Sequence, residues 1–347
     1  MLFDAHIHFD GELSLDDSVT YFKDFFNEFS VDKAIVLAYC NWTEETDSPI
    51  SNFKAIWLKK MMPEKMFSYM SLRHDLENPM SANDYYKQLC DGMKMGFDGV
   101  KFLEGKPDIR KRLGFSLSDP RYDLVLEKLE KDGTPIVYHV ADPEKFWHDP
   151  KAYYYYGDGS FATKEQLYRE IDEILLKFPK LKITFAHFYF LAAELERAAE
   201  FLDKHENVCF DLAPGREMFH ELARNIPEAR AFFKKYKKRL IWGSDIDNTR
   251  INDGYCRDVY KLLDGVLTDG EPFFAVDADF VPLGIDDDTI SYIKYKNQTA
   301  ILGETPKAIN EAFVGECIEE FAKANIRLSE REKAEFQRIA ADFGAKI

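Results

Sequence analysis

Two hydrophobic patterns alternate along this chain. Short runs of apolar and β-branched residues recur, and between them lie longer stretches whose apolar positions repeat every three or four residues. The short runs are LFDAHIHF (2–9), KAIVLAY (33–39), MFSYMSLR (66–73), FDGVKFL (97–103), PIVYHVA (135–141), KITFAHF (182–188), VCFDLAP (208–214) and RLIWGSD (239–245). Near-continuous apolar runs of this length read as strands buried on both faces, as in a parallel sheet. The longer stretches predict helices over 14–29, 51–60, 81–95, 120–132, 163–178, 191–204 and 216–237. In the first, Val19, Phe22, Phe26 and Phe29 share a face and Ser14 is placed to cap it. The helix over 163–178 starts on a capping threonine and stops before Pro179.

Eight strands, each followed by a crossover segment, predict a (β/α)8 TIM barrel. The rival is a doubly wound open sheet, which usually carries a glycine-rich phosphate turn after its first strand; HFDGELS is not one. Beyond the eighth strand the pattern loosens. Residues 269–284 read as an extended excursion or hairpin, and 286–303 as the last helix of the barrel. Residues 306–347 read as appended helices. The expected organisation is a barrel over 1–303 with a C-terminal helical extension, 304–347, packed on it.

Composition narrows the function classes. Of 347 residues, 46% are hydrophobic, enough for a large core and too many for a disordered chain. The net charge of -16 argues against nucleic acid and anionic membranes as partners and leaves a small molecule as the expected one. The five cysteines are scattered without a CxxC pair, which fits free thiols in a reducing compartment. The N-terminus has no basic-then-apolar leader, and no run of about 18 apolar residues occurs, so a cytoplasmic location is expected.

The polar residues on the strands carry the chemistry. His6 and His8, at i and i+2, share one face of an extended strand. His139, His187 and Asp245 fall near the ends of strands five, six and eight. In such a barrel those ends form one rim, where catalytic groups gather. Imidazoles with a carboxylate suit a borderline divalent cation such as zinc, with a position left for water. Bound water then ionises near neutrality, and a carboxylate can take its proton. Each residue also has a plainer reading: a hydrogen-bonded core histidine, or, for Asp245 in GSDID, a helix cap. His148, His205 and His220 fall on helices or loops.

Histidines on strands one, five and six with an aspartate on strand eight resemble the amidohydrolase superfamily. AHFYF around His187, WGSD before Asp245 and the closing YKNQTAILG with Asn297 are similar to its amidohydrolase-related branch, which includes aminocarboxymuconate semialdehyde decarboxylase. The resemblance spans residues 1–303. The chain departs from it after Asp245, where Ile246 and Asp247 replace an aromatic and a proline. The resemblance implies one divalent metal, Zn2+ with Mn2+ as an alternative. His6, His8, His139 and Asp245 would be its ligands. His187 would polarise substrate or hold water, and Asp245 would accept the proton. Other branches bridge two metals from strand four. Lys101 and Glu104 are the candidates here, with His187 on the second metal, although a buried ion pair and a loop carboxylate account for them equally simply. The implied activity is hydrolysis of a small, carboxylate-bearing substrate by metal-activated water. Nonoxidative decarboxylation or hydration on the same site is the alternative, and a catalytically silent barrel a third.

Specificity is expected from the loops at the rim. Arg73, followed by His74, and Arg216 could each bind a carboxylate. Tyr39 and Trp42 could wall a pocket. The loop after strand five carries Tyr153 to Tyr156 in succession, readable as a lid, a homodimer contact or simple packing. Ile7 should face away from its flanking histidines, into the helix layer.

Overall fold

The computed structural model describes residues 1–9, 13–40, 48–248, 254–324 and 326–347. All eight predicted strands form. They are β1 (Phe3–Ile7), β2 (Lys33–Leu37), β3 (Met66–Met70), β4 (Gly99–Gly105), β5 (Ile136–Val140), β6 (Ile183–Phe185), β7 (Val208–Asp211) and β8 (Leu240–Ile241). They pair in chain order and in parallel. Ala5 N–H donates to the Trp242 carbonyl at 3.0 Å and His8 N–H to that of Ile246 at 2.8 Å, which brings the last strand back to the first. The fold is the expected (β/α)8 barrel. Phe3, Ala5, Ile35, Leu37, Phe67, Tyr69, Val137, Cys209 and Ile241 fill its interior, and a larger core lies between the strands and the helices.

The helices are α1 (Leu15–Glu28), α2 (Ser51–Met61), α3 (Ala82–Met95), α4 (Pro107–Leu113), α5 (Asp123–Asp132), α6 (Lys145–His148), α7 (Lys164–Lys177) and α8 (Leu195–Lys204). Ser14 caps α1 as predicted. On α7, Thr163 and Gln166 form a reciprocal capping box, with bonds of 3.2 and 2.7 Å. Thr163→Ala removes the cap and is expected to lower the unfolding free energy by about 1 kcal/mol, read as a reduced urea midpoint.

The structure corrects the predicted helix over 216–237. It is two helices, α9 (Arg216–Ala223) and α10 (Ile226–Lys235). Asn225 caps the second through Glu228 N–H, and Pro227 sits in its first turn. Proline lacks an N–H and crowds the preceding turn, so one continuous helix is excluded. A further helix, α11 (Tyr255–Leu267), went unread, although Cys256, Val259, Tyr260, Leu263 and Val266 repeat at helical spacing and are buried.

The predicted hairpin is present as β9 (Phe273–Ala275) and β10 (Ala278–Phe280). The closing helix runs as α12 (Asp287–Ser291), a π-turn over Tyr292–Lys296, and α13 (Asn297–Leu302). The Ile293 carbonyl in that π-turn accepts from Trp242 N–H at 3.0 Å, and Asn297 Nδ2 donates to the Leu240 carbonyl at 2.7 Å. This helix is therefore bonded directly to the end of β8. The chain ends in α14 (Glu311–Lys323) and α15 (Glu330–Asp342), with Phe321 and Phe336 against Phe53 of α2. No helix among the described residues is long and apolar enough to cross a membrane.

One irregularity positions the site. The pairing of β1 with β2 slips between Asp4 and Ile7. Ala5 packs inside the barrel, so regular alternation would turn His6 outward. The bulge returns His6 to the interior side and leaves Ile7, fully buried, in the outer core. Ile7 thus faces the helix layer as expected. Buried Asp4 pins the bulge: its Oδ1 accepts from His6 N–H and Ser244 N–H, both at 3.1 Å, and its Oδ2 from the Tyr260 hydroxyl.

Candidate metal centre

Each of three histidines has its Nδ1 against a protein acceptor. His6 Nδ1 lies 2.8 Å from Asp211 Oδ2, His8 Nδ1 3.1 Å from the Leu37 carbonyl and His187 Nδ1 3.1 Å from the Ala213 carbonyl. A carbonyl only accepts, so His8 and His187 carry their hydrogen on Nδ1 and present a lone pair at Nε2; the Asp211 carboxylate orders His6 the same way. These nitrogens converge on Asp245. Its Oδ1 is 3.2 Å from His6 Nε2 and 3.1 Å from His8 Nε2. Donor atoms of His6, His187 and Asp245 all lie within 4.8 Å of one another.

Lone pairs aimed at a carboxylate repel unless a cation lies between them. A proton serves one ring. Burial and Lys101 oppose a proton on His6, but Asp211 and Asp245 outweigh them and raise its pKa. Burial pushes His8 down, against the pull of Asp245, and takes His187 to about 4. Two neutral imidazoles then remain, and they suit a metal ion. Burial alone would raise Asp245, yet His6 and His8 hold it well below the usual carboxylate range. The Lys101 ammonium is 3.3 Å from His6 Nε2, and burial brings it down to about 8.

Backbone strain holds two of these residues. Asp245 has φ +54°, a left-handed conformation that aspartate tolerates better than most residues. His187, Phe188, Tyr189 and Phe190 are all left-handed, with φ between +51° and +58°. Without glycine, that costs about 1–2 kcal/mol per residue. The turn is held by Asp211 Oδ1 on His187 N–H at 2.7 Å and by the Tyr168 hydroxyl on the Tyr189 carbonyl at 2.8 Å. It sets the Phe190 ring 5.3 Å from His187 and 5.6 Å from His139.

The amidohydrolase family model matches residues 88–309, well over half of the sequence. The chain belongs to the amidohydrolase family. No curated protein matches it significantly. Among solved structures, it resembles an uncharacterized TIM-barrel protein from Bordetella bronchiseptica at 12% identity and TM-score 0.58, covering 87% of this chain and 99% of that one. A 4-oxalomesaconate hydratase from Rhodopseudomonas palustris gives 12% and 0.55, covering 94% and 100%. A 5-carboxyvanillate decarboxylase from Sphingomonas paucimobilis gives 12% and 0.54, covering 87% and 98%. At these identities the likeness is one of fold.

In this member of the amidohydrolase family, His139 sits beside the cluster, its ring 4.8 Å from that of His187. Its Nε2 is 3.3 Å from Asp142 Oδ1, and Asp142 Oδ2 accepts from the Tyr156 hydroxyl at 2.7 Å. Of the four consecutive tyrosines, Tyr156 is the buried one and Tyr153 the most exposed, at 86%. Tyr39 stands 5.0 Å from the His8 ring. Trp42 lies outside the described residues. Arg73 lines a separate cavity of about 210 Å³ among residues of α2, α3 and α14, and Arg216 pairs with Asp277 on the hairpin at 3.4 Å. Neither guanidinium contacts the cluster among the described residues. His74 and Glu104 bond each other at 2.9 Å, both buried. Asp245 caps no helix, since residues 246–248 are not helical. The sequence reading missed Asp211, although an aspartate closing the apolar strand VCFD is a visible signal of a buried, partnered carboxylate.

Proposed function

We propose that this protein is a metal-dependent hydrolase acting on a small, carboxylate-bearing substrate through one divalent ion at the barrel rim. The observation that carries the reading is the set of Nε2 lone pairs brought to the Asp245 carboxylate while Nδ1 of His6, His8 and His187 is fixed by acceptors. His6, His8, His187 and Asp245 would hold the ion, with Nδ1 the donor left to His139. Nitrogen and carboxylate ligands suit Zn2+, with Mn2+ as the alternative. The ion supplies Lewis acidity that brings the pKa of water towards 7.

The protein's own groups do the rest. Asp245 is held anionic and can accept a proton at a carboxylate oxygen, then return it to a leaving group. His187 stays neutral, which leaves its Nε2 lone pair for the ion. Lys101 is a buried cation facing the same groups, placed to stabilise developing negative charge. Asp211 fixes the His6 tautomer, so Asp211→Asn is expected to weaken zinc binding about 10–100-fold, measured by competition with a chromogenic chelator.

Nonoxidative decarboxylation or hydration is the second reading. It is favoured by Lys101, an acid beside the cluster able to protonate a carbon. The decarboxylase and hydratase among the similar structures make both reactions worth testing. Zinc-loaded protein should be assayed against lactones, amides and esters for acid release, and against aromatic and dienoic acids for CO2. Acid release supports hydrolysis; CO2 release without it overturns that choice.

A further inference from the structure

A cavity of about 230 Å³ opens from His187 between the loops that follow β5, β6 and β7. Phe190, Ala192, Ala193 and Met218 contribute its carbon surface. Its charges are already answered by the protein. Lys145 pairs with Glu217, Glu221 with Arg224, and Lys164 lies 3.4 Å from Glu144. Lys164 is buried, and its ammonium also donates to the Phe190 carbonyl at 3.0 Å. A ligand arm entering here meets the carbon surface of Phe190, Ala192, Ala193 and Met218 beside side chains ion-paired with one another or with Arg224. A substrate headgroup at Asp245 and His187 would be next to its opening, because His187 belongs to both.

The backbone supports a role in binding. Phe190 ends the four-residue left-handed turn, and its ring lies beside both His187 and His139. A bulky residue in that conformation costs stability, and the strained turn is what places the Phe190 ring beside the histidines. We propose that this cavity is a subsite for an uncharged, apolar arm of the substrate, with Phe190 its specificity-determining wall. The inference deepens the metal-dependent reading above, which supplies the site for the polar head.

The test is calorimetric titration of zinc-loaded protein with acetate, propionate, butyrate, valerate and hexanoate. Each added methylene should tighten binding about fourfold until the cavity is filled. Succinate and 4-aminobutyrate should bind more weakly than butyrate. Phe190→Gly should flatten the series with the protein still folded by circular dichroism, since glycine adopts the left-handed turn without strain. Met218→Trp, filling the cavity from α9, should truncate the series independently. A flat wild-type series, tighter binding of succinate or 4-aminobutyrate, or a slope unchanged in both variants overturns the subsite. Acetate binding that ignores zinc overturns the metal-held headgroup instead, while the slope still reports on the cavity.

Discussion

Asp245→Asn is expected to leave the protein folded and nearly free of metal. Wild type should carry one equivalent of zinc, and the variant should lose affinity by more than the ~10–100-fold typical of groups that act only through a ligand. Asparagine suits this test because it tolerates the left-handed conformation that Asp245 adopts, at φ +54°. The backbone bond from Asp245 N–H to the His6 carbonyl, 2.8 Å, also survives the change. What disappears is the negative charge facing His6 and His8. Elemental analysis of the purified proteins reads the metal, and circular dichroism reads the fold. A folded variant that keeps a full equivalent would refute the proposed centre. Two equivalents in wild type would instead bring Lys101 into the ligand set. Activity on any substrate found by the panel should fall with the metal, because the same carboxylate is the proposed proton acceptor.

The second large effect lies away from the histidine cluster, in stability. Asp98→Ala should cost ~3–5 kcal/mol, read from urea unfolding. Asp98 is buried and holds three partners. Its Oδ2 lies 2.7 Å from Lys59 Nζ and 2.9 Å from Ser68 N–H, and its Oδ1 accepts from Lys307 N–H at 2.8 Å. Deleting the carboxylate strands the Lys59 ammonium, 1% exposed, with the Gly96 carbonyl its one remaining partner among the described residues. Lys59→Met should cost less, since Asp98 then still accepts from two backbone donors. Equal losses in the two variants would show that the pair acts only through its mutual attraction. Asp98 thus joins α2, the middle of β3 and the segment before α14, elements the sequence pattern leaves unconnected.

Much of the site could be read early because its signals are local. His6 and His8 are two residues apart, and apolar runs mark the strands that carry His139, His187 and Asp245. Arg73 and Arg216 show the limit. An arginine after a strand reads the same whether it turns to the rim or away, and here one lines a different cavity and the other pairs with Asp277. The helix α11 was missed for the opposite reason: its apolar spacing is clear, but no further barrel strand follows it to frame a repeat.

The sequence by itself determined the eight strands, their parallel order and the collection of histidines and an aspartate at one rim. Strand period and chain order are properties of neighbouring residues, and the barrel follows from repeating them. The tertiary structure decided the rest. A bulge held by Asp4 turns His6 inward. Asp211, 205 residues away, orders its ring. A strained turn sets Phe190 beside the histidines. Each depends on a hydrogen bond or close contact between segments far apart in the chain, and such partners exist only once the barrel has closed.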